Sequence, residues 1–201
     1  MSYNKFKIRT LKEQLGIHIQ RNYWLPKELP TFAEDTHLAS SLQEAAKIYL
    51  GSEKARSEFV VTPVLQALYR KNQAKYSIFS GYEFTIDKNK GLNGFCDFIF
   101  ASASDTFIVE APAFFIVETK KTDIDDNAIA QCSAELYAAQ LFNAQKGKPT
   151  NTVFGCVTSA YSWGFLKLEQ NIISIDPDYV SLSFSNPYHV LAALQWIVDA
   201  V

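Results

Sequence analysis

An α/β fold is predicted, with a central mixed β-sheet flanked by helices and a single domain covering 1–201. Three observations predict it. Helical spacing of apolar residues dominates up to about residue 75, and strand-like runs then take over to Lys120. A long helical stretch over 123–146 separates those strands from a second set over 152–184, an alternation that suits one sheet covered by helices. Phe114-Phe115-Ile116-Val117 carries no polar residue, so this strand is expected to be buried on both faces. The chain is 48% hydrophobic and 20% charged, an ordinary globular balance, and its 201 residues can enclose a sizeable core.

The elements follow in order. Residues 1–52 are expected to form a helical N-terminal extension. A short helix is predicted over 11–19. Pro26 and Pro30 exclude a helix interior at 24–30. Leu38, Leu42, Ala45, Ala46 and Tyr49 recur at helical spacing, and Gly51 signals a stop. Another helical stretch covers about 53–75, with Val61, Val64, Leu65, Leu68 and Tyr69 as its apolar stripe. Pro63 within it is either a first-turn proline capped by Thr62 or a kink in a longer helix. Strands are then predicted over 78–86, 92–101 and 114–120, with turns at 87–91 and 102–105 and a short strand, or the approach to one, at 107–109. Asp123, Asp125 and Asp126 favour the N-terminal end of the next helix, and Gly147 and Pro149 close it. A hairpin over 152–168, short strands at 172–175 and 179–184, and a last helix over 187–201 complete the chain.

Composition narrows the function. The formal net charge of -2 gives no global attraction to nucleic acid, so any such binding needs a local basic surface. Lys5, Lys7, Arg9, Lys12, Lys120 and Lys121 are the contributors available. Cys96, Cys132 and Cys156 form no CxxC pair and sit in apolar contexts, which predicts buried, reduced thiols. His18, His37 and His189 are scattered and form no metal cluster or nucleophile pair, and no glycine motif supports a nucleotide loop. The N-terminal MSYNKFKIRT has no apolar signal core, and no apolar run approaches membrane-spanning length. A soluble cytoplasmic protein without a membrane partner is expected.

The chemistry lies in two apolar strands. FFIVETKK runs from a fully apolar stretch straight into Glu118 and Lys120. Strand alternation points these two side chains the same way, with Cα atoms roughly 6.5–7 Å apart. A buried carboxylate and ammonium at the end of a core strand are costly unless paired or metal-bound. GFCDFIF repeats the situation at Asp97. If the two strands are neighbours, Asp97 and Glu118 converge on one oxygen-seeking cation, and Lys120 stands beside it. Such a cation stabilises phosphoryl oxygens and acidifies bound water, while a lysine orients that water.

GFCDFIF followed by FFIVETKK resembles the motif of the PD-(D/E)XK, or restriction-endonuclease-like, nuclease superfamily. The resemblance implies Asp97 and Glu118 as metal ligands for Mg²⁺, with Mn²⁺ as a substitute, and Lys120 as the residue that assists the attacking water. It implies an acidic residue on the first core helix, for which Glu58 is the choice, and a glutamine after the E-x-K strand, matched by Gln131. The superfamily core order of helix, three strands, helix, strand fits from about Glu53 to Val157. It further implies a nucleic-acid partner, DNA foremost, and a homodimer. The chain is also similar to cyanobacterial proteins of this fold that carry no assigned substrate.

The motif departs from the pattern at Cys96, which replaces a proline, and 107–112 is an unusual insertion in which Glu110 is a rival acid. Competing readings exist. Asp97 and Lys120 form a structural ion pair, Glu58 serves a helix dipole, and Gln131 with Glu135 makes a polar seam at i, i+4 spacing. Trp163 is either a base-stacking aromatic or a hairpin core residue. Apart from a nuclease, the chain could be an inactive nuclease-fold binding or assembly module, or a metal enzyme acting on a small phosphate ester.

Overall fold

The computed structural model describes residues 2–73 and 75–201. They form an α/β fold around a mixed eight-stranded sheet. The strands are β1 (His18–Arg21), β2 (Tyr76–Glu83), β3 (Phe95–Ser102), β4 (Ala113–Thr119), β5 (Thr152–Thr158), β6 (Ser162–Glu169), β7 (Ile172–Ile175) and β8 (Val180–Ser181). Their order across the sheet is β1-β7-β6-β5-β4-β3-β2, with β8 paired to β6. The β4–β5 and β1–β7 pairs are parallel, and the others are antiparallel.

Helices cover both faces. On one side α2 (Thr36–Ala45), α4 (Thr62–Lys71) and α6 (Tyr188–Asp199) enclose Phe98, Phe100, Phe115, Phe154 and Phe165. On the other, α1 (Ile8–Leu15) and α5 (Asp126–Gln145) enclose Ile99, Ile116, Val157 and Leu166. Every residue of β4 is buried, as expected for a strand between two such layers. Each fully buried Leu, Ile or Phe contributes about 1.5–3 kcal/mol. α5 lies close to β5 because Gly155 lacks a Cβ; one there would come within 2.9 Å of Leu136 Cδ1 and 3.0 Å of Cys132 Sγ.

Two expectations are corrected. The helix placed over 11–19 ends at Leu15, because Gly16 adopts φ 68° as its C-cap. Residues His18–Arg21 become strand β1, so the N-terminal segment supplies an edge of the sheet as well as helices. Residues 107–109 form no strand, and Phe107 is almost fully exposed.

Pro63 proves to be inside a longer helical run. A one-turn helix α3 (Glu53–Arg56) passes through a π-turn (Ser57–Val61) directly into α4. Thr62 N–H reaches back to the Ser57 carbonyl, an i→i−5 bond. Pro63 has no N–H to continue the normal ladder, and the wider turn accommodates its ring.

Candidate active site

The site forms where β3 begins and β4 ends. The β3–β4 register pairs Phe98 with Val117, and one step further sets Asp97 opposite Glu118. Regular pairing stops there. Asp97 Oδ2 instead accepts the backbone N–H of Thr119 at 2.7 Å, so a carboxylate takes over a ladder hydrogen bond. On its other side Asp97 falls opposite Gly81, which has φ 59° and is skipped by the β2–β3 pairing. Cys96 and Ile99 both belong to the core beneath α5, whereas Phe98 belongs to the opposite core, so side-chain alternation breaks at Asp97.

Glu118 is 3% exposed and Lys120 sits beside it, on the same side as alternation requires. Lys120 Nζ donates to Glu118 Oε1 at 2.6 Å and to Gln131 Oε1 at 3.1 Å. Gln131 Nε2 donates to the same Glu118 oxygen at 2.6 Å and to Glu135 Oε1 at 3.1 Å. The amide orientation follows from charge: reversed, its oxygen would face two carboxyl groups and its NH₂ an ammonium. The backbone of Lys120 is fixed by its N–H to the Thr158 carbonyl at 2.7 Å. The sequence-derived set Asp97, Glu118, Lys120 and Gln131 is therefore assembled in one place.

Burial dominates the electrostatics. It pushes the Glu118 carboxyl up to about 8, with the Asp97 charge adding to the rise and Lys120 opposing it. Asp97 is also raised by burial, against the Thr119 N–H and the Lys120 charge. Lys120 loses hydration, which alone would lower it, but the Glu118 carboxylate holds it above the usual ammonium range. Glu135 is fully buried and pushed well up, first by burial and then by Glu118. Burial likewise raises the Cys96, Cys132 and Cys156 thiols, which are unpaired and inert in this setting.

Glu58 is the site residue that the structure does not bring in. Its side chain is 53% exposed and faces Lys54 at 3.7 Å on the outer surface. The acid of this helix that acts on the site is Glu53, whose charge raises Asp97, Glu118 and Lys120 alike. Five residues separate the two glutamates, about 140° around a helix, so one can face the sheet end only if the other does not. The signal for Glu53 is its position just after the cap Ser52, whose hydroxyl accepts the Ala55 N–H at 3.0 Å. Glu110 precedes β4 and so lies at the opposite end of the strand from Glu118. Trp163 is fully buried and donates its indole N–H to the Ala160 carbonyl, which makes it a core residue. Of the N-terminal basic residues, Lys7 reaches Asn127 on the first turn of α5 at 2.6 Å, and Arg9 pairs with Glu13.

Among the described residues, no group of three or more His, Cys, Asp or Glu side chains is placed to hold a metal ion. A hydrated hard cation makes a smaller demand, one or two carboxylates with water in the remaining positions. Asp97 and Glu118 supply that donor type, and Glu118 Oε2 is buried with no hydrogen-bond partner. A buried carboxyl oxygen without a partner, on the strand paired to the one that carries Asp97, fits a divalent cation. Among the described residues no helix is long and apolar enough to cross a membrane. The chain matches no protein-family model and no curated protein.

Proposed function

We propose that the protein is a metal-dependent nuclease of the PD-(D/E)XK kind, hydrolysing phosphodiester bonds in nucleic acid, with DNA as the first candidate. The observation that carries this reading is the convergence of Asp97, Glu118 and Lys120 at one sheet end, with Gln131 tying Lys120 to Glu118. The order α4, β2, β3, β4, α5, β5 also agrees with the helix, three-strand, helix, strand core of that superfamily.

Asp97 and Glu118 would hold Mg²⁺ or Mn²⁺, with Glu53, whose charge reaches both, as an additional acid in place of Glu58. When bound, the ion supplies charge stabilisation at phosphoryl oxygens and a more acidic water. The chain's own residues do the rest. Lys120 is a half-buried ammonium that orients water and balances negative charge at the phosphorus. Gln131 holds Lys120 in line through its carbonyl oxygen. The Thr119 N–H holds Asp97 Oδ2 at the end of β4, which leaves the second oxygen outside that bond.

The test is incubation of the protein with single- and double-stranded DNA and RNA in Mg²⁺ or Mn²⁺, beside Asp97→Ala and Lys120→Ala. Wild type is expected to cleave, and each variant to lose about a hundredfold or more. Cleavage that persists in both variants removes these residues from the mechanism. A wild type that neither cleaves nor binds metal by calorimetry favours the inactive binding or assembly module.

A further inference from the structure

The hairpin between β5 and β6 carries an exposed aromatic shelf at the same sheet end as this site. Tyr161 is 43% exposed, and its ring stacks on Phe184 with centroids 5.7 Å apart and planes 17° from parallel. The Arg56 guanidinium lies over the same Tyr161 ring at 5.3 Å. Arg56 donates Nε to the Leu50 carbonyl at 3.0 Å and Nη1 to the Ser159 carbonyl at 3.2 Å. Among the described residues no carboxylate forms an ion pair with it, and Glu53 stands one turn away on the same helix.

The turn that presents Tyr161 is rigid. Ala160 adopts φ 75°, a left-handed conformation that a residue with a side chain adopts only at a cost. Its N–H is held by Thr158 Oγ1 at 2.9 Å and its carbonyl by the Trp163 indole at 3.0 Å. The Tyr161 carbonyl accepts the Leu182 N–H at 2.8 Å, which ties the Phe184 segment to the turn. The turn begins just after Thr158, the residue that accepts the Lys120 N–H. Lys120 follows β4 and the turn follows β5, two adjacent parallel strands, so the shelf and the lysine stand at the same sheet end. Glu53 and Arg56 are i, i+3 neighbours on α3, so one face of that short helix serves both the acid pair and the shelf.

We infer that Tyr161, backed by Phe184 and Arg56, is a stacking shelf for an unpaired nucleobase, which makes single-stranded or frayed nucleic acid the preferred substrate class of the neighbouring site. This rests on the nuclease reading for its biological sense, but the binding itself is independent of it. The part of Tyr161 left exposed beside Phe184 and Arg56 offers aromatic surface to a base, and the guanidinium over the ring attracts the adjoining phosphate. A base within an intact duplex is already stacked on its neighbours and has no free face to offer.

The experiment is fluorescence anisotropy in EDTA with labelled single-stranded DNA and RNA of about 20 nucleotides and the matching blunt DNA duplex. Proteins are wild type, Tyr161→Phe and Tyr161→Ala, with melting temperatures recorded for each. Wild type is expected to bind at least one single strand more tightly than the duplex. Tyr161→Ala is expected to weaken that binding about fivefold or more at an unchanged melting temperature, while Tyr161→Phe stays within about twofold of wild type. Equal binding by Tyr161→Ala, no binding of any strand by wild type, or a duplex bound as tightly as the single strands overturns the shelf. Tyr161-dependent binding without cleavage in Mg²⁺ or Mn²⁺ keeps the shelf and removes the nuclease reading. Lys120-dependent cleavage with a KM unchanged in Tyr161→Ala does the reverse.

Discussion

Glu118 and Glu135 share one amide: Gln131 Nε2 lies 2.6 Å from the first carboxyl and 3.1 Å from the second. Both acids are buried, and each has a second oxygen without a partner. Gln131 is thus the neutral spacer that lets two carboxyl groups lie along one side of α5. Replacing it removes two donated bonds at once and leaves Lys120 held by Glu118 alone. Gln131→Ala is expected to cost about 1–3 kcal/mol in urea unfolding. Cleavage should fall as well, because Lys120 loses one of its two anchors. Unfolding identical to wild type would show that the amide does not mediate between the acids.

The raised Glu118 carboxyl sets a direction for stability against pH. Its ordinary value is 4.5, and in the fold it is pushed up to about 8. The folded state therefore holds this proton more tightly than the unfolded chain. That advantage is complete below the unfolded value and is lost as pH rises from 4.5 through about 8. Glu118→Gln removes the ionisation while keeping the shape. Without divalent metal, the variant is expected to gain on wild type between about pH 5 and pH 8, by a difference on the order of 1–3 kcal/mol. Parallel melting curves for the two proteins across that range would contradict the buried, proton-holding carboxyl.

Asp35 gives the opposite sign. Its Oδ1 caps α2 through the Leu38 N–H at 2.8 Å, and its Oδ2 accepts Arg70 Nε at 2.9 Å and Nη2 at 2.7 Å. Burial would raise this carboxyl, but the Leu38 N–H and the Arg70 guanidinium together hold it below its usual range. A depressed value means stability present above the unfolded value and lost as pH falls through the folded one. Asp35→Ala is expected to destabilise by about 1–2 kcal/mol at neutral pH, and the difference should shrink as pH falls below the ordinary carboxylate range. A gap that stays constant into strong acid would place the effect in packing instead.

The sheet and the site differ in how far the sequence discloses them. β4 and α5 are written in long uniform patterns, an apolar run ending in Glu118 and an alanine-rich stretch begun by Asp125, and each appears where expected. Asp97, Glu118 and Lys120 are visible because charge within an apolar strand is costly and so stands out. The edge strand β1 is not, since four residues with a mostly exposed pattern carry no periodic signal and take their pairing from β7. The π-turn is hidden for a related reason. Pro63 announces an irregularity, but whether the chain kinks or stops depends on packing against the sheet. Choosing Glu58 over Glu53 needs that helical phase, which a one-residue change in turn size alters. Tyr161 is hidden beside Trp163, because composition cannot tell which aromatic of a turn faces inward.

Glu53 and Glu58 allow that helical phase to be tested in solution. Glu53 is the acid whose charge reaches Asp97 and Glu118, whereas Glu58 stands half-exposed against Lys54. An exposed charge acts through water and is screened, so its effect on a bound cation is modest and salt-dependent. Calorimetric titration of Mg²⁺ at low ionic strength is expected to give about threefold weaker binding for Glu53→Gln. The same titration of Glu58→Gln should stay within about 1.5-fold of wild type, because Lys54 already answers its charge. Raising the salt to about 0.5 M should shrink the Glu53 effect, as the Debye length drops below the separation of the charges. If Glu58→Gln weakens the metal and Glu53→Gln does not, the π-turn sets the opposite phase in solution, and the third acid of the site is Glu58 after all.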